Sequence, residues 1–174
     1  HRERWHGQGQ VDREIYRKGG EQGLLLMQVG EKYGGAGIRD FRYEQILLEE
    51  NLRYGDSGLY FTLHSRLVAP YIEGLGTEEQ KQRFLPGCVS GETILGIAMT
   101  EPGAGSDAGA MRTSARRDGE QWVINGQKVF STGAGAKDNV INLYARTQPE
   151  GPHQQALSLF LVDKDLPGVT IGRD

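Results

Sequence analysis

Cysteine is nearly absent: Cys88 is the one thiol among 174 residues. A single chain therefore cannot build a disulfide framework or a cysteine-based zinc site, and a reducing compartment fits best. Hydrophobic residues make up 37% of the chain, and its mean hydropathy is −0.53. Such a chain folds, but much of its apolar surface is expected to need a partner, a cofactor or further sequence. Charge of one sign is lacking too. Twenty basic and 23 acidic residues give a net charge of −3 and are well mixed. That excludes the basic stripe of a nucleic-acid binder and the like-charge run of a disordered tail. No apolar run is long enough to span a bilayer. The opening His1-Arg2-Glu3-Arg4-Trp5-His6 has no apolar core behind its charges, so it is not a secretory signal. It begins without Met, which leaves room for a leader or upstream residues.

Glycine is in excess, with 26 residues, clustered as Gly34-Gly35-Ala36-Gly37, Gly103-Ala104-Gly105 and Gly133-Ala134-Gly135. These read as turns and close backbone approaches. Between them the first half has helical spacing. Val11 to Arg17 forms one helix, with Asp12 as a possible cap and Gly19-Gly20 as its end. Asp40 caps a second helix running to about Arg53, with Ile46 and Leu47 inward and Glu49 and Glu50 on a solvated face. Asp56 or Ser57 starts a third, carrying Leu59, Phe61, Leu63, Leu67 and Val68, which Pro70 bends or restarts. Thr77-Glu78-Glu79-Gln80 is a capping box for a helix ending near Pro86-Gly87.

The second half changes period. Ile94 to Thr100 is a short apolar run, and Met111 to Arg117 alternates. Gln121 to Ile124, Asn125-Gly126, and Gln127 to Phe130 read as a hairpin. Val140 to Ala145, Leu157 to Val162 and Val169 to Ile171 add strands. The expected fold class is α+β: an N-terminal all-helical domain (1–92) followed by an antiparallel β-barrel domain (93–174).

Chemistry concentrates in Thr100-Glu101-Pro102-Gly103-Ala104-Gly105-Ser106-Asp107. A strand ends, a proline stiffens the turn, and two glycines bare the backbone. Exposed N–H groups there could form an anion-binding nest suited to a phosphate. Gly103-x-Gly105-x-x-Ala108 also matches a dinucleotide fingerprint, but that fingerprint works only where its third position opens a helix, and here an alternating strand follows. A Walker loop fails because no Lys-Ser or Lys-Thr closes it. An ordinary glycine-rich connection is the plain alternative. No His, Asp and Glu spacing suggests a metal.

Taken together, Ile97 to Asp107 resembles the flavin-binding signature of acyl-CoA dehydrogenases. The resemblance covers nearly the whole chain: Glu31 to Gly37, Gly76 to Lys81, Phe84-Leu85-Pro86, Ile124 to Lys128 and Ser158 to Val162 match family segments in order. It implies FAD as cofactor. Ile97, Ala98, Met99 and Thr100 would line the isoalloxazine ring. Gly105 and Ser106 would reach the pyrophosphate, with Ser106 also touching the coenzyme A side. Phe130, Ser131 and Thr132 would form a second flavin segment, with Thr132 near flavin N5. Phe130 stands where many members carry Trp; it either packs on the flavin or fills a barrel core. His64 either lines the acyl pocket, as the resemblance implies, or is a hydrogen-bonded helix histidine.

The implied reaction is α,β-dehydrogenation of an acyl-CoA thioester, as in fatty-acid β-oxidation: a carboxylate takes the α-proton while the β-hydrogen leaves as hydride to the flavin. Medium- to long-chain members are the most similar. The family's catalytic glutamate lies in a C-terminal helical bundle that residues 1–174 do not include, so no residue here is assigned catalysis. Glu49, Glu50 and Glu101 are not substitutes, and Glu101 is read as structural in its turn. Residues 1–174 alone are expected to hold FAD weakly or not at all and to be inactive. The resemblance further implies electron-transfer flavoprotein as acceptor, a homo-oligomer, and the bacterial cytoplasm or mitochondrial matrix. Two rival readings remain: a same-fold flavoenzyme that reacts with oxygen (an acyl-CoA oxidase or flavin monooxygenase), and a non-enzymatic binding module.

Overall fold

Apolar residues at helical spacing give the first half its α-helices: α1 (Arg2–Gln8), α2 (Glu14–Glu21), α3 (Phe41–Tyr54), α4 (Ala69–Leu75) and α5 (Glu78–Ser90). The computed structural model describes residues 1–54, 58–148 and 155–172. Residues 1–95 form one unit, and a second starts at Gly96.

Local chemistry places several helix ends as expected. The Asp40 carboxylate accepts from the Arg42 N–H at 3.0 Å and so caps α3. Thr77 and Gln80 form the reciprocal box at the start of α5. The alternative caps Asp56 and Ser57 lie outside the described residues. Elsewhere tertiary packing overrides local signals. Helix α2 starts after Arg13, with no side-chain cap, and runs through Gly19 and Gly20. These glycines do not break the helix; they let it approach its neighbour. A Cβ on Gly20 would lie 2.3 Å from the Ser90 carbonyl oxygen at the end of α5. Likewise α5 continues past Pro86 to Ser90, because Leu85 and Cys88 on either side of the proline are fully buried. Helix propensity favours alanine over glycine by about 1 kcal/mol. Gly20→Ala is nevertheless expected to destabilise by about 1–3 kcal/mol, since overpacking costs that much. Gly74→Ala in α4, where a Cβ meets nothing within 4 Å, is expected to be neutral or stabilising. Urea midpoints of the two variants check the pair.

Before Pro70 the chain widens into a π-turn over Leu63–Val68. Proline has no N–H to donate and its ring crowds the preceding turn; the wider turn accommodates both, and the Ala69 N–H reaches back to the His64 carbonyl. The segment turns His64, Ser65 and Val68 inward while Leu67 stays exposed. Tyr16, Leu25, Leu26, Phe61, Ile72 and Leu85 fill this core. The inward assignment of Ile46 is wrong: it is 60% exposed, with Phe41, Tyr43 and Leu52 also uncovered on α3. Among the described side chains of that helix, the buried one is Glu44.

The second half holds strands β1 (Ile94–Ala98), β2 (Ser114–Asp118), β3 (Gln121–Asn125), β4 (Asn139–Arg146) and β5 (Leu157–Asp163). They form an open mixed sheet, not the antiparallel barrel expected from the sequence. The order is β1-β4-β2-β3, with β5 also pairing β4. Strands β4 and β5 are antiparallel over seven registered pairs, Val140↔Asp163 to Arg146↔Leu157. Strand β2 meets β4 in parallel, at Ser114↔Arg146. A parallel neighbour requires a crossover, and the connection from β3 to β4 supplies it. Among the described residues no ladder joins the sheet's outer strands, so it does not close. It curls instead: Trp122 of β3 meets Phe160 of β5 edge-on, ring centroids 5.4 Å apart. Ala98, Ile141 and Val162 are buried beneath, with Ile124, Leu143 and Val169 packed against them. Val169 to Ile171 is not a strand.

The hairpin also differs from expectation. Strand β3 pairs β2, from Ser114↔Asn125 to Asp118↔Gln121, through Gly119, whose φ is +61°. Asn125-Gly126 makes no tight turn. Gly126 lies against the chain at Thr113, whose Oγ1 would stand 2.3 Å from a Cβ there. The segment after it, 126–131, is irregular.

Candidate functional site

The irregular stretch after β3 lies beside the end of β1. The Val129 N–H donates to the Thr100 carbonyl at 2.9 Å, and the Ile97 N–H donates to the Thr132 carbonyl at 3.1 Å. Two segments the sequence singled out separately, 97–101 and 128–132, are thus neighbours. No regular ladder holds the second one. A Cβ on Gly96 would meet the Thr132 carbonyl at 2.9 Å, so glycine there permits the approach.

The turn after Thr100 is closed by Glu101 and Ala104, whose N–H and carbonyl groups exchange bonds of 2.8 and 3.2 Å. Only a three-residue 3₁₀ turn, Ala108–Ala110, follows, with the Asp107 carboxylate accepting from the Gly109 N–H. No helix opens at the third fingerprint position, which removes the dinucleotide reading. The expected anion nest is corrected in part. Neither Gly103 nor Gly105 takes the positive φ of such a nest. A Cβ on either would meet nothing within 4 Å, so open space lies beside both.

Ala98 is buried and belongs to the core, which leaves its backbone for any ligand contact. Ile97, Met99 and Thr100 are half-buried; Gly105, Ser106 and Thr132 are exposed, and Ser131 is half-buried. Among the described residues the hydroxyls of Thr100, Ser106, Ser131 and Thr132 make no hydrogen bond, whereas those of Thr147 and Ser158 bond each other at 2.8 Å. Phe130 is 92% exposed and sits at φ +55°. Left-handed backbone costs a bulky residue roughly 1–2 kcal/mol. The barrel-core alternative for Phe130 is therefore wrong.

Beneath this surface lies a buried ion pair that sequence reasoning did not single out. Lys128 Nζ is 2.8 Å from Glu101 Oε1, with side chains 8% and 6% exposed. Lys128 also donates to the Met99 carbonyl at 3.1 Å. The Glu101 carboxylate further accepts the N–H groups of Arg112 (2.7 Å) and Thr113 (2.9 Å). Burial alone would raise the Glu101 carboxyl, but the hydrogen bonds from Lys128, Thr113 and Arg112 outweigh it and hold it at about 2. Burial pulls the Lys128 ammonium down, and its pairing with Glu101 partly restores it. The structural reading of Glu101 stands. The sequence placed Lys128 in a hairpin strand, and no local pattern pairs it with a carboxylate 27 positions away.

His64 belongs to the helical unit and is fully buried. The Leu95 N–H donates to its Nδ1 at 3.0 Å, so Nδ1 carries no proton. Its Nε2 therefore bears the hydrogen and donates to the Cys88 carbonyl at 3.0 Å. Burial holds the imidazole down to about 4. Both nitrogens are engaged within this unit, by Leu95 of β1 and by Cys88 of α5. Among the described residues no cluster of His, Cys, Asp and Glu could hold a metal, and no helix is long and apolar enough to cross a membrane.

Comparison with known proteins agrees with this architecture. Residues 1–92 match the acyl-CoA dehydrogenase N-terminal domain, and residues 96–174 match the acyl-CoA dehydrogenase middle domain. The mouse mitochondrial long-chain specific acyl-CoA dehydrogenase is 41% identical over 173 residues, covering 99% of this chain and 40% of the mouse protein. An acyl-CoA dehydrogenase structure from Geobacillus kaustophilus superposes with a TM-score of 0.90 at 44% identity, over 95% of this chain and 43% of that one. A Bacillus anthracis acyl-CoA dehydrogenase complexed with FAD gives 0.81 at 35% identity, over 93% of this chain and 27% of that one. The chain thus spans about 40% of the length of the relatives it matches. A helical unit followed by a curled mixed sheet, with both family domains matched in order, means that this chain belongs to the acyl-CoA dehydrogenase family.

Proposed function

We propose that this chain supplies the flavin-facing part of an FAD-dependent acyl-CoA dehydrogenase, which oxidises an acyl-CoA thioester to the trans-2-enoyl-CoA. The observation that carries the reading is the surface formed by 97–106 and 130–132. It joins unclaimed hydroxyls, open space beside two glycines and an exposed aromatic held in left-handed backbone. Strained backbone persists where the surroundings fix it, and it clusters at ligand sites. These residues fit a planar, diphosphate-bearing cofactor. Ile97, Ala98, Met99 and Thr100 would line the ring with backbone groups and the Thr100 hydroxyl, and Phe130, Ser131 and Thr132 would border it from the second segment. Gly105 and Ser106 would meet the diphosphate, with Ser106 also toward coenzyme A. Bound flavin supplies hydride acceptance; these residues orient it and shield one side from water. The base is assigned to none of them. His64, with both nitrogens occupied, is proposed to border the acyl pocket through packing alone.

The domain limits 1–92 and 93–174 belong to the same proposal, as do electron-transfer flavoprotein as acceptor, a homo-oligomeric whole protein, and a bacterial cytoplasmic or mitochondrial matrix location. The test is purification of the complete gene product. Stoichiometric FAD, and turnover of a saturated acyl-CoA with an artificial electron acceptor, are expected. Absence of both returns the chain to the binding-module reading. Anaerobic reduction followed by air separates the other rival: rapid reoxidation with peroxide formation marks an oxidase.

A further inference from the structure

We infer that Lys128, paired with Glu101, is a positioning residue that sets segment 128–132 against segment 97–101. Four observations carry this. Residues 126–131 belong to no strand, so no ladder fixes them. The Lys128 ammonium bridges the Met99 carbonyl and the Glu101 carboxylate, at 3.1 and 2.8 Å. That carboxylate also takes two backbone N–H groups from 112–113, so one node ties three stretches distant in sequence. The bonds from Val129 to Thr100 and from Ile97 to Thr132 then continue the contact along the segment after Lys128.

Stability alone does not account for such a pair. A buried ion pair is commonly matched or surpassed in stability by an apolar pair of similar volume. What an apolar pair lacks is direction. A methionine at 128 could fill the volume, but it could not bond the Met99 carbonyl or answer the Glu101 charge. The segment carrying Phe130, Ser131 and Thr132 would then be free to shift along β1. The consequence for cofactor rests on the flavin reading above; the pinning of the two segments does not.

The experiment compares wild type, Lys128→Met and Lys128→Arg in the complete gene product. Amide hydrogen exchange is followed in peptides covering 96–101, 126–133 and, as reference, 157–163. FAD affinity of the apoprotein and the visible circular dichroism of bound flavin are measured in parallel. Hydrogen bonds to charged groups set the scale, so Lys128→Met is expected to speed exchange about tenfold or more in the first two peptides. The reference should speed up distinctly less than either, FAD affinity should fall by a similar factor with an altered dichroism band, and Lys128→Arg should restore part of each. Glu101→Gln, which keeps shape and one acceptor oxygen, is the second variant should Lys128→Met not fold; it should loosen the same two peptides less. Unchanged exchange at 96–101 and 126–133 overturns the inference, as does an equal rise in 157–163, which marks global loosening. Faster exchange with FAD affinity and dichroism unchanged overturns the positioning of cofactor. A wild type that binds no FAD instead defeats the flavin reading, while the exchange comparison still decides the pinning.

Discussion

Replacing His64 with leucine is expected to destabilise the helical unit by about 2–4 kcal/mol at pH 7 and to flatten its acid lability. Leucine fills the space but leaves the Leu95 N–H buried without a partner, and it takes from the Cys88 carbonyl its bond from Nε2, leaving the 3.3 Å bond from the Gly91 N–H; a buried orphan costs about 1–3 kcal/mol and a lost hydrogen bond about 0.5–1.5 kcal/mol. The pH dependence follows from the imidazole. Its ordinary value is 6.5, and burial lowers it to about 4 in the folded chain. The folded state therefore favours neutral histidine. The stabilisation is complete above pH 6.5 and is lost as pH falls toward 4, where the folded form also protonates. A gap of this size corresponds to about 3 kcal/mol. Urea unfolding at pH 7 and pH 4.5 measures both effects. A wild type and variant that lose stability in parallel over that window would show that the lability comes from other groups.

Glu101→Ala carries the second large effect, an expected loss of about 3–5 kcal/mol in the sheet unit. Breaking a buried pair is far costlier than replacing both partners, because one charge stays buried unpaired. Here Lys128 loses its counterion and the Arg112 and Thr113 N–H groups lose their acceptor. The double variant Glu101→Ala with Lys128→Met should recover part of the loss, since no uncompensated ammonium remains. Thermal unfolding followed by Trp122 fluorescence is the measurement. A double variant less stable than Glu101→Ala contradicts the pairing. The same carboxyl adds an acid limit. Its folded value is held at about 2 against an ordinary 4.5, so its contribution is present above pH 4.5 and is lost as pH falls toward 2.

Much of this was legible because it is local. A threonine three residues before a glutamine fixes the start of α5, and an aspartate fixes that of α3. The change of period near Gly91 separates helices from strands. The flavin-like signature is contiguous, so one stretch of sequence carries it. What was misread depends on distant partners. Gly19-Gly20 looked like a helix end because nothing local says that the Ser90 carbonyl lies against them. Asn125-Gly126 looked like a tight turn, but the strand facing β3 comes from upstream. The closed barrel failed because β2 joins β4 in parallel, a pairing no local pattern encodes. Ile46 looked like core by spacing, yet α3 leaves that face uncovered. Lys128, placed by the sequence in a hairpin strand, is instead buried beside a carboxylate 27 positions away.

We propose that the two segments joined by the Val129–Thr100 and Ile97–Thr132 bonds form a surface for an isoalloxazine ring, and a crystal structure of the complete gene product with FAD tests this most directly. The ring should lie with the hydroxyls of Thr100 and Thr132 within hydrogen-bonding distance of it and Phe130 against its edge or face. A flavin bound elsewhere, with those hydroxyls still turned to solvent, would contradict the account.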